Sequence, residues 1–394
     1  MITGGTIVVK HGVVYSPVID SGRAVRPCRS PRPGLETTHL IMSIRVCLYL
    51  FAGLMLAGVA SACGIASPFG PGLELATHTP LPAATPAPET QAAPPVLAEA
   101  SPSPAPRPVC GGPPSMLILA IGADNRDNSY LYGLADVIRM VRVDFVDPQV
   151  TSLSFPRDLW VRIPGIESNY GITHGKLNQA YLYGNPGMGY YGGPGAGPGL
   201  LARTLDENFG AQPEQYVAVN MQTFVKLVDA VGGIDIYLPE DVDGRPVDDR
   251  TEDMGYFSAG QHHFDGDQAL RFSRIRKVDN AFKRDERQSQ VLCALKERLQ
   301  SPEIIARIPA ILAAFTGSFL TDLGLTQMTQ LACLLPYLDS EDLIFEGVPE
   351  SILVGGRNDR GSYVLTADEQ VVRELVASFA AGTWPTEPDE PTCP

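Results

Sequence analysis

A continuous apolar run, MLILAIG at 116–122, is the feature that most restricts the fold of this chain. A run of this kind that ends in glycine is typical of a strand buried on both faces of a sheet. Two β-branched runs follow at 137–147 and 149–155, and a fourth strand pattern, IDIYLP, ends at a proline at 234–239. Amphipathic helical patterns lie between and after these strands. This alternation predicts an α/β fold, a single layered domain with helices on the faces of the sheet.

Helices are predicted at 200–210, 223–233, 285–300, 303–316, 326–338 and 366–380. Residues 184–199 are very rich in glycine and precede the first of these helices. A phosphate-binding loop needs Gly-Lys-Ser/Thr at the following helix start, and this segment has none. We therefore interpret it as a flexible or lid-like loop.

The N-terminal region carries the pattern of a secretory signal. Residues 42–63 contain Arg45, an apolar run and the small residues 60–62 directly before Cys63. The apolar run is shorter than the ~20 residues of a comfortable membrane span. Residues 1–41 show no lasting periodicity, which favours a start at Met42 and a mis-assigned or disordered extension, with a long n-region as the alternative.

The sequence before Cys63 resembles a bacterial lipobox, so Cys63 is the predicted lipidation site. Ordinary cleavage before Cys63 and an uncleaved anchor are the alternatives.

Residues 64–114 hold 14 of the 35 prolines of the chain. Such composition predicts a Pro-rich disordered linker, which would hold a domain off a membrane. The folded domain is then expected at 115–384, followed by a C-terminal tail at 385–394. The predicted location is extracytoplasmic, anchored to the cytoplasmic membrane.

The net charge disfavours one class of partner. The whole chain carries a formal charge of −14, and the part after Cys63, with 24 basic and 42 acidic residues, carries −18. Nucleic-acid binding is therefore not expected, because it requires a basic field. Residues 271–287 are the local exception, with seven basic and three acidic side chains.

Two acidic residues near the first strand form a candidate metal site. Asp124 and Arg126 lie in GADNRD, immediately after the strand at 116–122, and Asp136 precedes the next strand. Ligands of open α/β sheets bind at the carboxyl ends of strands. Two converging carboxylates suit Mg²⁺, which keeps waters and takes one or two carboxylates plus substrate phosphate. The alternative is that these acids cap backbone N–H groups in turns.

Arginines form two further clusters. Arg157 follows Pro156 at the end of a strand, beside Asp158, and by itself predicts a surface ion pair. Arg274 and Arg276 are two residues apart on a segment predicted to be extended, so both should point to one face. The remaining candidates share one face of a helix start and are Arg284, Arg287 and Gln288. Arginine is preferred where phosphate is bound bidentately, and a solvated charged helix is the alternative.

Four cysteines follow Cys63, an even number that favours disulfides in an exported chain. Three connectivities exist. We favour Cys293–Cys333, which would join two predicted helices, and Cys110–Cys393, which would join the two ends of the domain. Buried free thiols at 293 and 333 are the alternative.

These elements together resemble the LytR-CpsA-Psr (LCP) family. The matching segments follow the family's order over about 116–300 and are GADNRD (122–127), FPRD (155–158), HGKLNQAY (174–181), DAVGGIDIYLP (229–239) and RIR…R..RQ (274–288). The resemblance implies an α/β/α domain with a mixed central sheet. It also implies an extracytoplasmic phosphotransferase that moves a glycopolymer from a polyprenyl-pyrophosphate carrier to peptidoglycan or a related envelope acceptor.

The resemblance assigns roles to individual residues. Asp124 and Asp136 match metal-associated acids, for Mg²⁺ with Mn²⁺ as an alternative, and Lys176 and Asn178 belong to the KLN element. The pyrophosphate-facing positions are Arg126, Arg157, Arg274, Arg276, Arg284, Arg287 and Gln288. The polyprenyl chain would need an apolar groove, for which 303–316 and 331–338 are the candidate walls.

Two positions depart from the family pattern. Leu134 stands where the family usually has an arginine, and Ala281 stands where it often has an acid, with Asp279 as a candidate substitute. Two other functions therefore remain open: a pyrophosphatase that hydrolyses the carrier, and a non-catalytic surface lipoprotein that binds prenyl phosphates or glycans.

Overall fold

The computed structural model describes most of the chain after the predicted signal segment. The described residues are 70–75, 107–125, 129–249, 251–275, 281–304, 307, 310–311, 319–385 and 393. The predicted signal segment and Cys63 lie outside these ranges, as do Arg126 and Arg276.

A six-stranded mixed sheet forms the centre of the domain. Its spatial order is β11-β6-β1-β2-β3-β12. The pairs β1–β6 and β3–β12 are parallel, and β1–β2, β2–β3 and β6–β11 are antiparallel. The strands are β1 (Ser115–Ala123), β2 (Ala135–Asp144), β3 (Gln149–Ser154), β6 (Gln215–Asn220), β11 (Phe319–Thr321) and β12 (Leu343–Gly347). The prediction of a mixed central sheet is confirmed.

Four two-stranded sheets surround the central one, and each is antiparallel. They pair β4 (Trp160–Arg162) with β5 (His174–Lys176), β7 (Ile234–Leu238) with β10 (Gly260–Phe264), β8 (Val242–Asp243) with β9 (Tyr256–Phe257), and β13 (Leu353–Arg357) with β14 (Tyr363–Ala367). The strand predicted at 234–239 is therefore β7, which lies outside the central sheet.

Helices cover both faces of the central sheet. They are α1 (Leu177–Gly184), α2 (Ala196–Phe209), α3 (Met221–Val231), α4 (Gly266–Arg274), α5 (Ala281–Gln300), α6 (Leu325–Leu334) and α7 (Glu369–Ala381). Most of the helix predicted at 303–316 lies outside the described residues. No helix within the described ranges is both long enough and apolar enough to cross a bilayer.

The alternation of β1 places its side chains on two faces. Leu119 and Ile121 belong to the core that α1, α2 and α7 cover, whereas Met116 and Ile118 belong to a core on the other face with Leu334 of α6. Successive side chains of a strand point to opposite faces, so one apolar run supplies both layers. The α/β/α architecture follows from this.

The Gly-rich segment is in part a helix-packing element. Helix α2 begins at Ala196, inside the segment predicted as a loop. A Cβ on Gly184 would lie 2.7 Å from the Ala196 carbonyl oxygen, and one on Gly197 would lie 2.0 Å from Asn185 Oδ1. Glycine is needed at both positions because the end of α1 and the start of α2 approach too closely for a side chain.

The predicted disulfide pairing is wrong. The structure joins Cys110 to Cys333 and Cys293 to Cys393, with Cα–Cα distances of 5.8 and 5.4 Å. Helix α6 carries Cys333 towards the 3₁₀ turn Val109–Gly111, where Gln330 Nε2 also donates to the Gly111 carbonyl at 2.8 Å. Cys333 is thereby directed at the beginning of the domain, where Cys110 lies.

A short part of the proline-rich region contacts the domain. The Leu73 N–H donates to Asp322 Oδ2 at 3.2 Å, and Tyr216 Oη donates to the Pro71 carbonyl at 3.2 Å. Leu73 and Leu75 pack against the core under α2. The predicted linker at 64–114 is therefore interrupted by a segment, 70–75, that lies on the domain surface.

Candidate active site

The loop after β1 holds the carboxylate of Asp124. The Leu134 N–H donates to Asp124 Oδ1 at 2.6 Å, and the Asp124 N–H donates to the Leu134 carbonyl at 3.0 Å. Gly133 has φ +120°, and a Cβ there would lie only 2.7 Å from Asn125 Cγ and 3.1 Å from Asp124 Oδ1. The position opposite Asp124 therefore requires a glycine, both for its backbone conformation and for space.

The pKa of Asp124 is raised above its ordinary value. Burial is the largest cause, against the lowering effect of the hydrogen bond from Leu134. The charge of Asp136 raises it further, and Arg157 and Arg274 lower it. A half-buried carboxylate beside a second carboxylate is an arrangement that a bound cation would stabilise.

A chain of ion pairs connects Asp136 to the start of α1. Arg157 Nη1 contacts Asp136 Oδ1, and Arg157 Nε lies 3.3 Å from Asp158 Oδ2. Asp158 Oδ1 in turn lies 2.6 Å from Lys176 Nζ. Asp158, which the sequence placed only in a surface ion pair, thus bridges two predicted site residues. This arrangement holds the Arg157 guanidinium against Asp136.

Asn178 fixes the loop that carries Arg157. Its N–H donates to the Arg157 carbonyl at 3.1 Å, and the Leu177 N–H donates to the Leu159 carbonyl at 2.8 Å. Asn178 is almost fully buried, and its Oδ1 atom has no hydrogen-bond partner among the described residues. Its backbone contact supports a positioning role rather than contact with a ligand.

A large cavity lies between the sheet and helices α3, α4 and α5. It contains about 1140 Å³ of empty space, part of it open to solvent. Polar side chains line the end at which β1 and β6 stop, where Asp124 follows β1 and Asn220 is the last residue of β6. The other polar lining residues include Asp136, Arg274, Arg284 and Gln288. The structure therefore brings together both candidate metal ligands and three of the predicted phosphate-facing residues.

Most of the remaining cavity wall is apolar. The side chains come from β2 and β6, from α3 and α4, and from one face of α5; they include Val137, Val217, Val219, Phe224, Leu227, Leu270, Val291, Leu292 and Leu295. Ala120 and Gly122 of β1 leave the space open. The prediction that 331–338 forms a wall of the lipid groove is wrong, since Leu334 and Leu338 pack with Phe145 in a separate core cluster. Within the described part of 303–316, Ile304 and Ile311 pack with the β7 and α5 cluster and are absent from the cavity wall.

Arg274 is the last residue of helix α4. The expectation that it lies on an extended segment is wrong, because an Asp265–Gln268 capping box starts a helix just upstream. Its Nη2 atom lies 3.0 Å from Glu252 Oε2, and the residue still reaches the polar end of the cavity.

The α5 arginines have different environments. Arg284 lines the cavity, and its Nη2 donates to the Asp136 carbonyl at 3.5 Å. Arg287 is buried, and its Nη2 donates to the Ile275 carbonyl at 2.7 Å. Gln288 lines the cavity and donates to the Ser273 carbonyl at 3.4 Å. Arg287 thus holds the end of α4, while Arg284 and Gln288 face the cavity.

A buried network beneath α5 was not anticipated from the sequence. Arg139 of β2 is 1% exposed, and its Nη2 lies 2.6 Å from Asp285 Oδ1. The same nitrogen donates to Ser289 Oγ at 3.1 Å, and Ser154 Oγ donates to Asp285 Oδ1 at 2.7 Å. The only sequence signal was an arginine within an apolar strand pattern, which is unusual because buried charges must be paired.

The donor set for a cation consists of two carboxylates. No group of three or more His, Cys, Asp or Glu side chains that could bind a metal occurs in the described ranges. Asp124 and Asp136 nevertheless fit a hexacoordinate Mg²⁺, which usually completes its shell with water and substrate phosphate. Burial and the neighbouring Asp136 both raise the pKa of Asp124, and a bound cation would offset both effects.

Comparison with known proteins decides the family. The LytR_cpsA_psr family model matches residues 111–379, which is more than half of the chain. The chain belongs to the LytR-CpsA-Psr family. The resemblance inferred from five short motifs is thereby confirmed.

Curated relatives align over part of their length. The LCP domain is 32% identical over 218 residues to the polyisoprenyl-teichoic acid–peptidoglycan teichoic acid transferase TagU of Oceanobacillus iheyensis, covering 54% of this chain and 61% of that protein. It is 30% identical over 215 residues to the regulatory protein MsrR of Staphylococcus aureus, covering 53% and 58%. The chain thus spans about three fifths of the length of these relatives.

Solved structures share the fold of this LCP domain. The crystal structure of Bacillus subtilis TagV aligns with a TM-score of 0.52 and 25% identity, covering 67% of this chain and 96% of that one. A structure of TagT bound to LIIa-WTA aligns with a TM-score of 0.52 and 21% identity, covering 70% and 95%. At 21% identity, the similarity to the TagT structure concerns the fold alone.

Proposed function

We propose that this LCP protein is an extracytoplasmic phosphotransferase. Its substrate would be a glycopolymer on a polyprenyl-pyrophosphate carrier, and its acceptor would be peptidoglycan or a related envelope glycan. The observation that carries this proposal is the cavity, whose apolar part adjoins two carboxylates and the guanidinium groups of Arg274 and Arg284. A lipid chain with a charged head group needs this combination of surfaces.

The apolar part of the cavity fits the polyprenyl chain. Burial of hydrocarbon contributes about 0.8 kcal/mol for each CH₂ group, so the lining from α3 and α5 can supply the binding energy for a lipid. The pyrophosphate would then lie at the polar end. Arg274 and Arg284 would neutralise charge on its oxygens, which phosphoryl transfer requires.

Asp124 and Asp136 would hold Mg²⁺ at this end, and the bound ion would neutralise charge on the pyrophosphate. Arg157 fixes one side of Asp136 through their ion pair, and the Leu134 N–H fixes Asp124. Both carboxylates are therefore held in place before substrate binds, which lowers the cost of arranging them.

The relatives' names support the same class of reaction. TagU and TagV are named transferases that act on polyisoprenyl-linked teichoic acid and peptidoglycan. The sequence features at 42–63 support a membrane anchor at the N-terminus, either a lipidated Cys63 or an uncleaved signal. Such an anchor would keep the cavity close to the membrane that contains the carrier.

The test uses purified protein, a polyprenyl-pyrophosphoryl glycan and a peptidoglycan acceptor. We expect release of polyprenyl phosphate that requires Mg²⁺ and acceptor. Arg284→Ala should lower kcat about 100- to 1000-fold, the usual effect of removing a group that stabilises transition-state charge. Arg245→Ala is the matched control, because this exposed arginine does not line the cavity and makes local contacts with Asp243 and the Tyr256 ring.

A second variant tests the lipid part of the cavity. Leu227→Trp would fill apolar space and should weaken binding of the polyprenyl donor while leaving Arg284 in place. Release of lipid without acceptor would instead support a pyrophosphatase. Lipid binding without turnover at any divalent metal would support a non-catalytic lipoprotein.

A further inference from the structure

A second, smaller cavity adjoins the first on the other side of the α5 N-terminus. It is bounded by α5 and by the ends of β2, β3 and β12, it opens to solvent, and its space of about 30 Å³ is enough for a group the size of a water molecule or a hydroxyl. It shares Asp136, Val137, Arg284 and Gln288 with the large cavity. A group bound in the small cavity would therefore contact the same arginine and carboxylate as the pyrophosphate end of the large one.

The carboxylate of Asp285 lines the small cavity, and its two oxygens differ in their hydrogen bonding. Asp285 Oδ1 accepts from Arg139 Nη2 at 2.6 Å and from Ser154 Oγ at 2.7 Å. Asp285 Oδ2 has no hydrogen-bond donor or cation on it within the described residues, and the side chain is 26% exposed. The two contacts on Oδ1 fix the orientation of the carboxylate, so Oδ2 is held in a constant direction.

Gly347 leaves the space next to Oδ2 empty. A Cβ on this residue would lie 3.8 Å from Asp285 Oδ2 and 3.6 Å from the Ser154 carbonyl oxygen. These are ordinary van der Waals distances, and the backbone conformation of Gly347 is one that any residue adopts. A side chain at this position would therefore fit the fold while occupying the space beside the open oxygen.

The chemistry of this cavity suits a hydroxyl group. An ionised carboxylate accepts hydrogen bonds only, and the neighbouring Gln288 amide and Ser154 hydroxyl can both donate and accept. Arg284 adds positive charge on the side shared with the pyrophosphate end. A sugar hydroxyl could donate to Asp285 Oδ2 and lie beside the phosphorus that Arg284 would contact in the proposed complex with the donor.

We propose that the small cavity is the subsite for the acceptor hydroxyl, with Asp285 Oδ2 as the atom that receives its proton. This inference rests on the proposed function. The acceptor oxygen forms a bond to phosphorus, and its proton passes to Asp285 Oδ2. The bond between that phosphorus and the oxygen of the polyprenyl phosphate breaks, and its electron pair leaves with the polyprenyl phosphate.

The first test changes Gly347, because truncation of the Asp285 side chain would also remove the acceptor of Arg139. Gly347→Val should raise the KM for the acceptor glycan about tenfold or more, and Gly347→Ala should raise it less. A tenfold change corresponds to about 1.4 kcal/mol. The Kd of the polyprenyl-pyrophosphate donor and the thermal midpoint should stay unchanged in both variants. The matched control is Gly356→Ala in β13, where a Cβ meets no atom within 4 Å.

A second variant tests the proton acceptor. Asp285→Asn keeps the shape of the side chain and an Oδ1 acceptor for Arg139 and Ser154, but cannot take up the proton. We expect a kcat at least about 100-fold lower, the upper part of the loss usual for a general base, with the donor Kd unchanged.

The outcomes separate the two proposals. Transfer by the wild-type protein with an unchanged acceptor KM in Gly347→Val would overturn the subsite alone. Failure of the wild-type protein to transfer to any acceptor, despite donor binding, would overturn the proposed function and the subsite with it. An equal rise in donor Kd and acceptor KM would also overturn the subsite, because the small cavity would then belong to the donor.

Discussion

Arg139 of β2 and Asp285 of α5 form an ion pair whose two partners differ in their access to water. The Arg139 side chain is 2% exposed and the Asp285 side chain is 26% exposed, with 2.6 Å between Nη2 and Oδ1. The pair joins the sheet to the helix that carries Arg284 and Gln288. It therefore determines where the cavity-lining side chains of α5 lie relative to the strands.

The two single substitutions in this pair should differ in cost. Asp285→Ala leaves a buried guanidinium without its carboxylate and should lower the free energy of unfolding by about 3–5 kcal/mol. Arg139→Met should cost less, because the remaining carboxylate reaches water. Urea denaturation of both variants measures this difference. Arg245→Met, which removes an exposed pair, should cost less than about 1 kcal/mol. Equal costs for both substitutions at the buried pair would contradict this account.

The observed disulfide pairing predicts specific cross-linked peptides. Mass mapping of the non-reduced protein should find Cys110 linked to Cys333 and Cys293 linked to Cys393. Cys333→Ser should lower the free energy of unfolding by about 2–5 kcal/mol, since the bond closes a long loop with a sequence separation of 223. Peptides that link Cys293 to Cys333 would show that this pairing is incorrect.

Asp124→Asn should raise stability and remove activity. Burial raises the pKa of Asp124, so its charged form is disfavoured in the folded protein at neutral pH. Asparagine keeps the Oδ1 acceptor for the Leu134 N–H and removes the buried charge. We expect a higher thermal midpoint at pH 7 without Mg²⁺, together with loss of polyprenyl phosphate release. At a pH well below the ordinary aspartate pKa the gain in thermal midpoint should vanish, because the wild-type carboxyl is then protonated in both states.

The raised pKa of Tyr130 predicts that the folded protein loses stability at alkaline pH. Burial raises the pKa of Tyr130 to about 12, against the opposing hydrogen bond from the Asn220 N–H. Between the ordinary tyrosine pKa of about 10 and this value, the unfolded state loses the proton that the folded state keeps. The free energy of unfolding should therefore fall with rising pH by up to about 1.4 kcal/mol per pH unit for this group.

The Tyr130→Phe variant provides the comparison. It loses the Tyr130 Oη hydrogen bonds to the Ala218 carbonyl and from the Asn220 N–H, so it should be less stable at pH 7 by about 1–3 kcal/mol. Its slope above pH 10 should be shallower than that of the wild-type protein. An unchanged slope would mean that other groups, such as Tyr216, whose pKa burial also raises, account for the alkaline loss.

Local sequence patterns predicted much of the fold. The apolar run at 116–122 became β1, and the helix at 223–233 became α3. This helix ends at Val231 and is capped by Gly232 with φ +91°, as the glycine signal indicated. The missed elements were short or atypical. Helix α4 is nine residues long and mostly polar, so its apolar stripe was too brief to recognise before Arg274.

The candidate site was also predicted only in part from the sequence. Residue type and position along the chain were enough to select Asp124, Asp136, Arg274 and Arg284, all of which line one cavity. The bridging role of Asp158 and the buried pair of Arg139 and Asp285 were not recognised. Each of these contacts joins residues whose proximity arises only when separate strands, loops and helices pack together.

The apolar run at 116–122 and the patterns after it determined the fold class, the order of most elements and the family, because periodicity and turn chemistry act over a few residues. Only the tertiary structure decided which cysteines pair, which helices enclose the cavity, and that Asp285 has one open oxygen beside Gly347. These depend on distances between segments up to 223 residues apart in sequence. Such distances follow from the packing of whole layers, which no local pattern encodes.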